Sequence, residues 1–118
     1  MSKTVVSKPK QFLALERSLQ AKADELRTHI MHQREEMALQ RDPDDEAAAA
    51  QWSVDRDLAM INLNRAILTL AEVENALQSI EEGDYGVCRR CEEPISDARL
   101  HALPWTRLCL ECAGGGVS

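Results

Sequence analysis

Aromatic side chains are scarce in this sequence, whose 118 residues include one Phe, one Tyr and two Trp. A globular core built from so few rings would be thin, which argues against a compact α/β domain. Ala and Leu dominate the apolar residues, and charged residues make up 29% of the chain. This composition favours a mainly α fold of long, paired helices.

The sequence also lacks an apolar run of about 20 residues, the length that crosses a membrane. Its first ten residues contain no apolar core of a secretory signal. We therefore expect a cytoplasmic protein with no membrane contact.

Basic residues are also scarce. The net charge is −6, and residues 84–111 contain four arginines against five acidic residues. Nucleic-acid binding depends on neutralising phosphates, so sequence-specific DNA binding is not expected.

Catalytic motifs are missing as well. The sequence contains no Gly-rich phosphate-binding loop and no visible pairing of a nucleophile with a general base. An enzyme is therefore the class that the sequence supports least. We predict a binding or structural protein whose partner is another protein.

Cysteine is rare, but its four copies form one pattern: Cys88-x-x-Cys91, seventeen further residues, then Cys109-x-x-Cys112. Two such pairs at this distance are typical of a structural zinc site, in which each pair gives two thiolates to a tetrahedron. Two disulfides or a redox-active pair are the alternatives. A cytoplasmic chain keeps its thiols reduced, and no alternating strand and helix pattern surrounds the pairs. We therefore predict one structural zinc ion bound by all four cysteines.

A long amphipathic helix is predicted over residues 9–40, with Pro9 at its first position. After Pro9, no Gly or Pro interrupts the stretch, and apolar residues recur at intervals of three, four and seven. The apolar stripe consists of Phe12, Leu15, Leu19, Ala23, Leu26, Ile30 and Met37. An isolated amphipathic helix gains little stability alone, so this stripe requires a partner.

The partner is a second predicted helix, over residues 43–82. Pro43 disfavours continuation of the first helix but suits the first position of a new one, with Asp42 as its N-cap. Gly83 ends the second helix. Two long helices joined by so short a turn fold back into an antiparallel hairpin.

The second helix has two apolar stripes instead of one. The earlier stripe consists of Ala47, Ala50, Val54, Leu58 and Ile61, and the later one of Leu63, Ala66, Ile67, Leu70, Val73, Leu77 and Ile80. At 100° per residue the two stripes are offset by about 140°. Either the coiled coil twists or skips between them, or the later part packs against something extra. The N-terminal arm, the finger and a second subunit are all candidates.

The predicted organisation therefore has four segments. A disordered N-terminal arm (residues 1–8) precedes the helical hairpin (9–82), whose tip lies at 41–47. A zinc finger (83–113) and a flexible tail (114–118) follow. The predicted fold class is mainly α, a long antiparallel coiled-coil hairpin with a C-terminal four-cysteine zinc finger.

The finger contains a pattern beyond its cysteines. Within residues 83–112 the characteristic positions are Ile95, Arg99, Leu100, Ala102 and Pro104. This pattern resembles the zinc finger of the DksA/TraR family of bacterial transcription regulators. The resemblance implies that the finger braces the protein on the rim of RNA polymerase. Arg89 departs from the family, which usually has an acidic residue or Ser there, and this changes only the local surface charge.

The turn between the helices is also similar to that family. Residues 42–47 resemble the Asp-x-x-Asp-x-Ala tip of DksA-type coiled coils. In that family the coiled coil enters the secondary channel of RNA polymerase, where the tip aspartates act near the catalytic centre and modulate initiation. The resemblance implies this role for Asp42, Asp45 and Ala47. If the register is counted back from the cysteines, the tip shifts onto Asp45 and Asp42 loses its role.

The family's response to the nucleotide ppGpp, part of the stringent response, uses basic residues of the regulator. The corresponding positions here are Glu72, Leu103 and Ala113, none of which is basic. The resemblance therefore implies weak or absent ppGpp synergy, unless Arg65 or Arg107 substitutes.

A coiled-coil scaffold is the second hypothesis: a dimer whose finger closes one end of the hairpin. The change of stripe between Ile61 and Leu63 is its best support, because it leaves apolar surface on two sides of one helix. A DNA-binding zinc finger is a third reading, which the shortage of basic charge disfavours.

Overall fold

The structure is a computed structural model that describes residues 10–115. Within this range the chain forms four helices: α1 (Lys10–Leu39), α2 (Glu46–Glu82), α3 (Asp97–Ala102) and α4 (Leu110–Gly115). The mainly α fold is confirmed. The predicted arm, the helix start at Pro9 and residues 116–118 of the predicted tail lie outside the described residues. No helix in the described part of the chain is both long and apolar enough to cross a membrane.

The chain divides into two compact units. One unit is residues 24–71, which include the end of α1, the turn and the start of α2. The other unit combines the described residues up to 23 with those from 72 onward, and contains the start of α1, the end of α2 and both short helices. In each unit a segment of α1 lies antiparallel to a segment of α2, so the predicted hairpin is confirmed.

The buried face of α1 is the predicted one. Six of the seven stripe residues are buried, and Phe12 is half-buried. The buried residues are Leu15, Leu19, Ala23, Leu26, Ile30 and Met37. The 3.6-residue period of the helix therefore explains this face without any further constraint.

The buried face of α2 bears on the two alternatives for its apolar stripes. The later stripe is buried or half-buried, and the same spacing continues toward the start of the helix through the half-buried residues Ala49, Trp52, Arg56 and Ala59. The earlier stripe is exposed along its whole length, from Ala47 to Ile61. Of the two alternatives, a twist or skip between the stripes is therefore not needed. The inward positions near the turn are two Ala, one Trp and one Arg, which form no aliphatic pattern and so hide the continuity of this face.

The ends of α2 are set by local chemistry. The helix ends at Glu82 as predicted, and the N–H groups of Gly83 and Asp84 both donate to the Ser79 carbonyl, at 2.9 and 3.1 Å. Gly83 has a φ of 88°, which glycine adopts without steric cost. The start of α2 lies at Glu46, three residues later than predicted. At the other end of the finger, α4 extends to Gly115 and so includes two residues of the predicted tail.

Candidate functional site

The four cysteine thiols converge on one point of the finger. Their Sγ atoms all lie within 4.8 Å of one another, and the Sγ atoms of Cys91 and Cys109 are 3.8 Å apart. None of the four is in a disulfide. Thiolates bound tetrahedrally at about 2.3 Å from zinc stand about 3.8 Å apart, so this spacing fits the ion. The cluster holds one structural zinc ion, as predicted, and four thiolates leave no coordination position for a substrate.

The first cysteine pair lies on a tight turn whose backbone supports the thiolates. The N–H groups of Arg90 and Cys91 approach the Cys88 Sγ at 3.4 and 3.5 Å. The Glu92 N–H donates to the Cys88 carbonyl at 2.9 Å, and Glu92 adopts a φ of 65°. This left-handed residue turns the chain back, and the Cys88 N–H then donates to the Glu93 carbonyl at 2.9 Å.

The second cysteine pair lies at the start of α4. The Cys112 N–H approaches the Cys109 Sγ at 3.4 Å, and the Ala113 N–H donates to the Cys109 carbonyl at 2.9 Å. One helical turn therefore places both sulfurs on the same side of the chain. The two pairs are held together by a backbone hydrogen bond of 2.8 Å from Arg89 to the Arg107 carbonyl.

The thiols differ widely in proton affinity. Hydrogen bonds from backbone N–H groups, first that of Cys91, lower the pKa of Cys88 to about 6, although Cys88 is buried. Contact with the thiols of Cys109 and Cys88 raises the pKa of Cys112 to about 12. Crowded thiolates repel one another, and a bound divalent cation offsets this repulsion. Zinc binding therefore releases protons and weakens in acid.

Tyr85 joins the finger to the start of α1. Its ring meets that of Phe12 edge to face, with centroids 4.8 Å apart, and its hydroxyl donates to the Pro104 carbonyl at 2.7 Å. Burial raises the pKa of Tyr85 to about 12. Gly86 has a φ of 89°, and a Cβ there would approach the Phe12 ring at 3.3 Å. The contact between α1 and the finger thus depends on a glycine at this position.

Arg99 has a structural role that the sequence did not reveal, since it appeared there only as part of the pattern that resembles the DksA/TraR finger. Its Nε donates to the Leu108 carbonyl at 2.9 Å, and its Nη2 donates to the Thr106 hydroxyl at 3.4 Å. The Thr106 hydroxyl in turn donates to the Leu108 carbonyl at 3.0 Å. Arg99 therefore ties α3 to the segment that leads into Cys109. Only its fixed offset from the cysteines could have signalled this role.

A pocket of about 360 Å³ contains two of the three positions predicted to matter for ppGpp. Glu72 and Leu103 line it together with Arg89, Arg99 and Arg107. Ala113 is not among its lining residues. Arg107, which the sequence suggested as a substitute for the missing basic residues, therefore lies in the same pocket as the acidic Glu72.

The predicted tip residues lie at the turn between α1 and α2. Asp42 is exposed in the irregular segment after α1, and Ala47 is exposed in the first turn of α2. Asp45 directly precedes α2, and its carboxylate accepts a hydrogen bond of 2.9 Å from the Ala48 N–H. The N-cap of α2 is therefore Asp45, and the prediction that Asp42 caps this helix is wrong. All three residues are exposed, so the turn presents acidic charge to solvent.

Comparison with known proteins identifies relatives of this chain. The model of the prokaryotic DksA/TraR C4-type zinc finger matches residues 83–115. An uncharacterized protein of Aquifex aeolicus (strain VF5) is 36% identical over 116 residues, covering 96% of this chain and 77% of that protein. The RNA polymerase-binding transcription factor DksA of Escherichia coli (strain K12) is 32% identical over 89 residues, 75% of this chain. The matched segment spans only 57% of that DksA.

A solved structure resembles the chain over most of its length. It is that of transcription factor DksA2 from Pseudomonas aeruginosa, with a TM-score of 0.79 and 29% sequence identity. The match covers 91% of this chain and 83% of DksA2. The similarity therefore extends well beyond the finger.

Proposed function

Because the chain belongs to the DksA/TraR family of zinc-finger proteins, we propose that it is a cytoplasmic transcription regulator that binds RNA polymerase. The helical hairpin enters the secondary channel of the polymerase, and the acidic turn acts near the active centre to modulate initiation. The observation that carries this proposal is the likeness to DksA2 over 91% of the chain, which includes the hairpin as well as the finger.

The chemistry of the turn supports the proposed role of the tip. Asp42 and Asp45 expose carboxylates at the point where the chain reverses between α1 and α2. Carboxylate oxygens are ligands that Mg²⁺ accepts, and their charge repels nucleic-acid phosphates. The tip therefore acts on the polymerase centre through charge.

The zinc ion has a structural role in this proposal. Four thiolates complete its tetrahedron, so it offers no site for water or substrate. The finger holds the end of α2 and the start of α1 in place and contacts the polymerase rim. We infer that the protein regulates another enzyme and is not itself one.

The experiment compares capture by core RNA polymerase with the effect on transcription in vitro, for wild type and Asp45→Asn. Asn caps a helix about as well as Asp, so helicity and capture are expected to persist. The effect on initiation is expected to be lost, because the variant lacks the charge. Asp44→Asn is the matched control: Asp44 is exposed in the same turn but falls outside the Asp-x-x-Asp-x-Ala pattern.

Asp42→Asn decides the register of the tip. If it also loses regulation, both aspartates act; if it regulates normally, the tip is centred on Asp45. Normal regulation by both variants would mean that the tip mechanism is wrong. Failure of polymerase to capture the wild-type protein would refute the proposed function as a whole.

Weak or absent ppGpp synergy stays a prediction. Glu72 places a negative charge in the pocket that would face the phosphates, although Arg89 and Arg107 line the same pocket. We expect Glu72→Lys to increase the effect of ppGpp on transcription. A strong wild-type response that Arg107→Ala removes would show instead that Arg107 substitutes for the missing basic residues.

A coiled-coil scaffold remains the second candidate function. The observation that favours it is the exposed earlier stripe of α2, since large apolar residues in a row on a helix surface mark an interaction site. A tight dimer that is not captured by polymerase would support the scaffold over the regulator.

A further inference from the structure

A second pocket lies where the finger meets the end of α2, and we call it the junction pocket. Its volume is about 280 Å³, and its lining residues lie between 75 and 87, together with Arg89, Thr106 and Arg107. It shares these last three residues with the pocket that contains Glu72, but the rest of its wall is different. All of its lining residues belong to one compact unit, so the pocket is a feature of that unit alone.

Two arginines stand side by side in the junction pocket. The Arg89 N–H donates to the Arg107 carbonyl at 2.8 Å, so the two side chains start from adjacent points of the backbone. Among the residues that the structure describes, neither arginine side chain forms a hydrogen bond, an ion pair or a ring contact. Arg99 differs, because its Nε already donates to the Leu108 carbonyl. Two adjacent guanidinium groups without a partner suit an oxyanion such as a carboxylate.

Two acidic residues, Glu82 and Asp84, line the same pocket. The Glu82 carboxylate accepts a hydrogen bond of 2.9 Å from Gln78 Nε2. Within residues 10–115, neither acid forms an ion pair with either arginine. Charges of both signs therefore share one pocket without pairing with each other. A simple anion would be attracted by the arginines and repelled by the acids, whereas a ligand that carries both charges is attracted by all four groups.

We propose that the junction pocket binds a small zwitterion of the α-amino acid type. The two arginines bind its carboxylate, and the two acidic residues bind its ammonium group. Ligand pockets usually begin at about 300 Å³, so a pocket of this volume holds one small molecule. Asn75 and Ser79 also line it, which favours a ligand whose own side chain is short and polar. The bound ligand bridges α2 and the finger.

The test is an NMR titration of the full, zinc-loaded chain, followed through the backbone N–H signals of Gly86, Arg89 and Arg107. L-serine is the zwitterionic probe, N-acetyl-L-serine keeps only the carboxylate, and L-serine methyl ester keeps only the ammonium group. We expect L-serine to bind with a dissociation constant of about 1 mM. Each of the two derivatives should bind at least about tenfold more weakly, because it loses one of the two charge contacts. Inorganic phosphate should also bind more weakly than L-serine, because the acids repel it.

Variants of the pocket assign the two charge contacts. Arg107→Gln is expected to weaken the binding of L-serine at least about tenfold. Arg90→Gln is the matched control, since Arg90 is exposed beside Arg89 but does not line the pocket, and it should bind L-serine like the wild type. Asp84→Asn should weaken the binding of L-serine and strengthen that of N-acetyl-L-serine, because it removes a repulsion from the carboxylate. The zinc content of each variant shows whether its finger is intact.

Three results would overturn the proposal. The first is no shift at about 10 mM L-serine, about ten times the expected dissociation constant. The second is equal binding of L-serine, N-acetyl-L-serine and phosphate, which would mean that the pocket selects an anion only. The third is unchanged binding of L-serine by a zinc-loaded Arg107→Gln variant. Because polymerase is absent from these measurements, their outcome is independent of the proposed function.

Discussion

The zinc finger and the turn between the long helices differ in what their polar residues do. In the finger, Tyr85 and Arg99 donate hydrogen bonds to backbone carbonyls of the same unit, and the cysteines converge on a metal. In the turn, Asp42 and Asp45 are exposed, and the Asp45 carboxylate accepts a helix-capping hydrogen bond. The finger therefore uses its polar groups to hold its own structure, whereas the turn exposes its charge to solvent.

Of the changes considered, loss of zinc should have the largest effect on the structure, and this effect should be confined mostly to the finger. We expect Cys109→Ser, or chelation, to unfold residues 84–112 and leave much of α1 and α2 helical. Structural zinc supplies about 10–16 kcal/mol of apparent binding free energy in small fingers, more than their own cores can replace. Amide hydrogen exchange locates the unfolding, and circular dichroism reports the remaining helix.

Leu110→Ser is the control for the cysteine variant, since Leu110 lies between the two ligands of the second pair and is 71% exposed. It should bind zinc like the wild type. Returning zinc to a chelated sample should restore protection from exchange. A metal-free finger that stays protected would contradict the prediction.

Substitutions on the two faces of α2 should give the next largest effect, a difference in unfolding free energy. Leu63 is buried at 6% exposure, and Leu58 is 55% exposed five residues earlier on the same helix. Leu63→Ala should cost about 2–5 kcal/mol of unfolding free energy, because it leaves a cavity. Leu58→Ala should cost less than about 1 kcal/mol. Denaturant unfolding of both variants measures the difference, and equal costs would show that Leu58 is part of the core.

Because of Tyr85, the stability of the finger should depend on pH in the alkaline range. Its pKa is raised by burial to about 12, above the usual value of about 10 for an unfolded chain. A raised pKa means that the neutral form is favoured in the folded state. The corresponding stability is therefore fully present below about pH 10 and is lost as the pH rises through about 12.

Tyr85→Phe tests that assignment. It should cost about 1–3 kcal/mol at neutral pH, because the Pro104 carbonyl loses its donor. Between about pH 10 and 12 the gap between wild type and variant should narrow, as denaturant unfolding at each pH can show. A gap that stays constant with pH would mean that Tyr85 has the same pKa in the folded and unfolded states.

The sequence predicted the fold best where local pattern and tertiary packing agree. The stripe of α1 is regular and consists of large apolar residues, so periodicity was sufficient. In the first half of α2 the inward positions include Trp52 and Arg56, whose guanidinium lies 5.4 Å from the Trp52 ring centre. The larger aliphatic residues face solvent there, so the sequence pattern showed two stripes without showing which of them is buried.

The candidate site also combines features that the sequence could predict with features that it could not. The zinc ligands were predictable, because thiolate chemistry requires a fixed spacing within each pair. The contacts of Tyr85 with Phe12 and Pro104 could not be predicted, since they join residues far apart in the chain. The cap of α2 was misassigned because Pro43 makes Asp42 a good candidate by local rules, and only the backbone path shows that the helix begins later.

The capping role of Asp45 gives the smallest expected effect and separates stability from regulation at the turn. Asp45→Ala should cost about 1 kcal/mol of unfolding free energy, because the Ala48 N–H loses its acceptor. Asp42→Ala should change stability by less than about 0.5 kcal/mol. Asp45→Ser keeps a capping oxygen without the charge, so it should retain most of the stability while losing the proposed regulation. Thermal unfolding of the three variants, with Asp44→Ala as the control, would measure these losses of stability. A larger loss for Asp42→Ala than for Asp45→Ala would mean that Asp42 is the N-cap of α2.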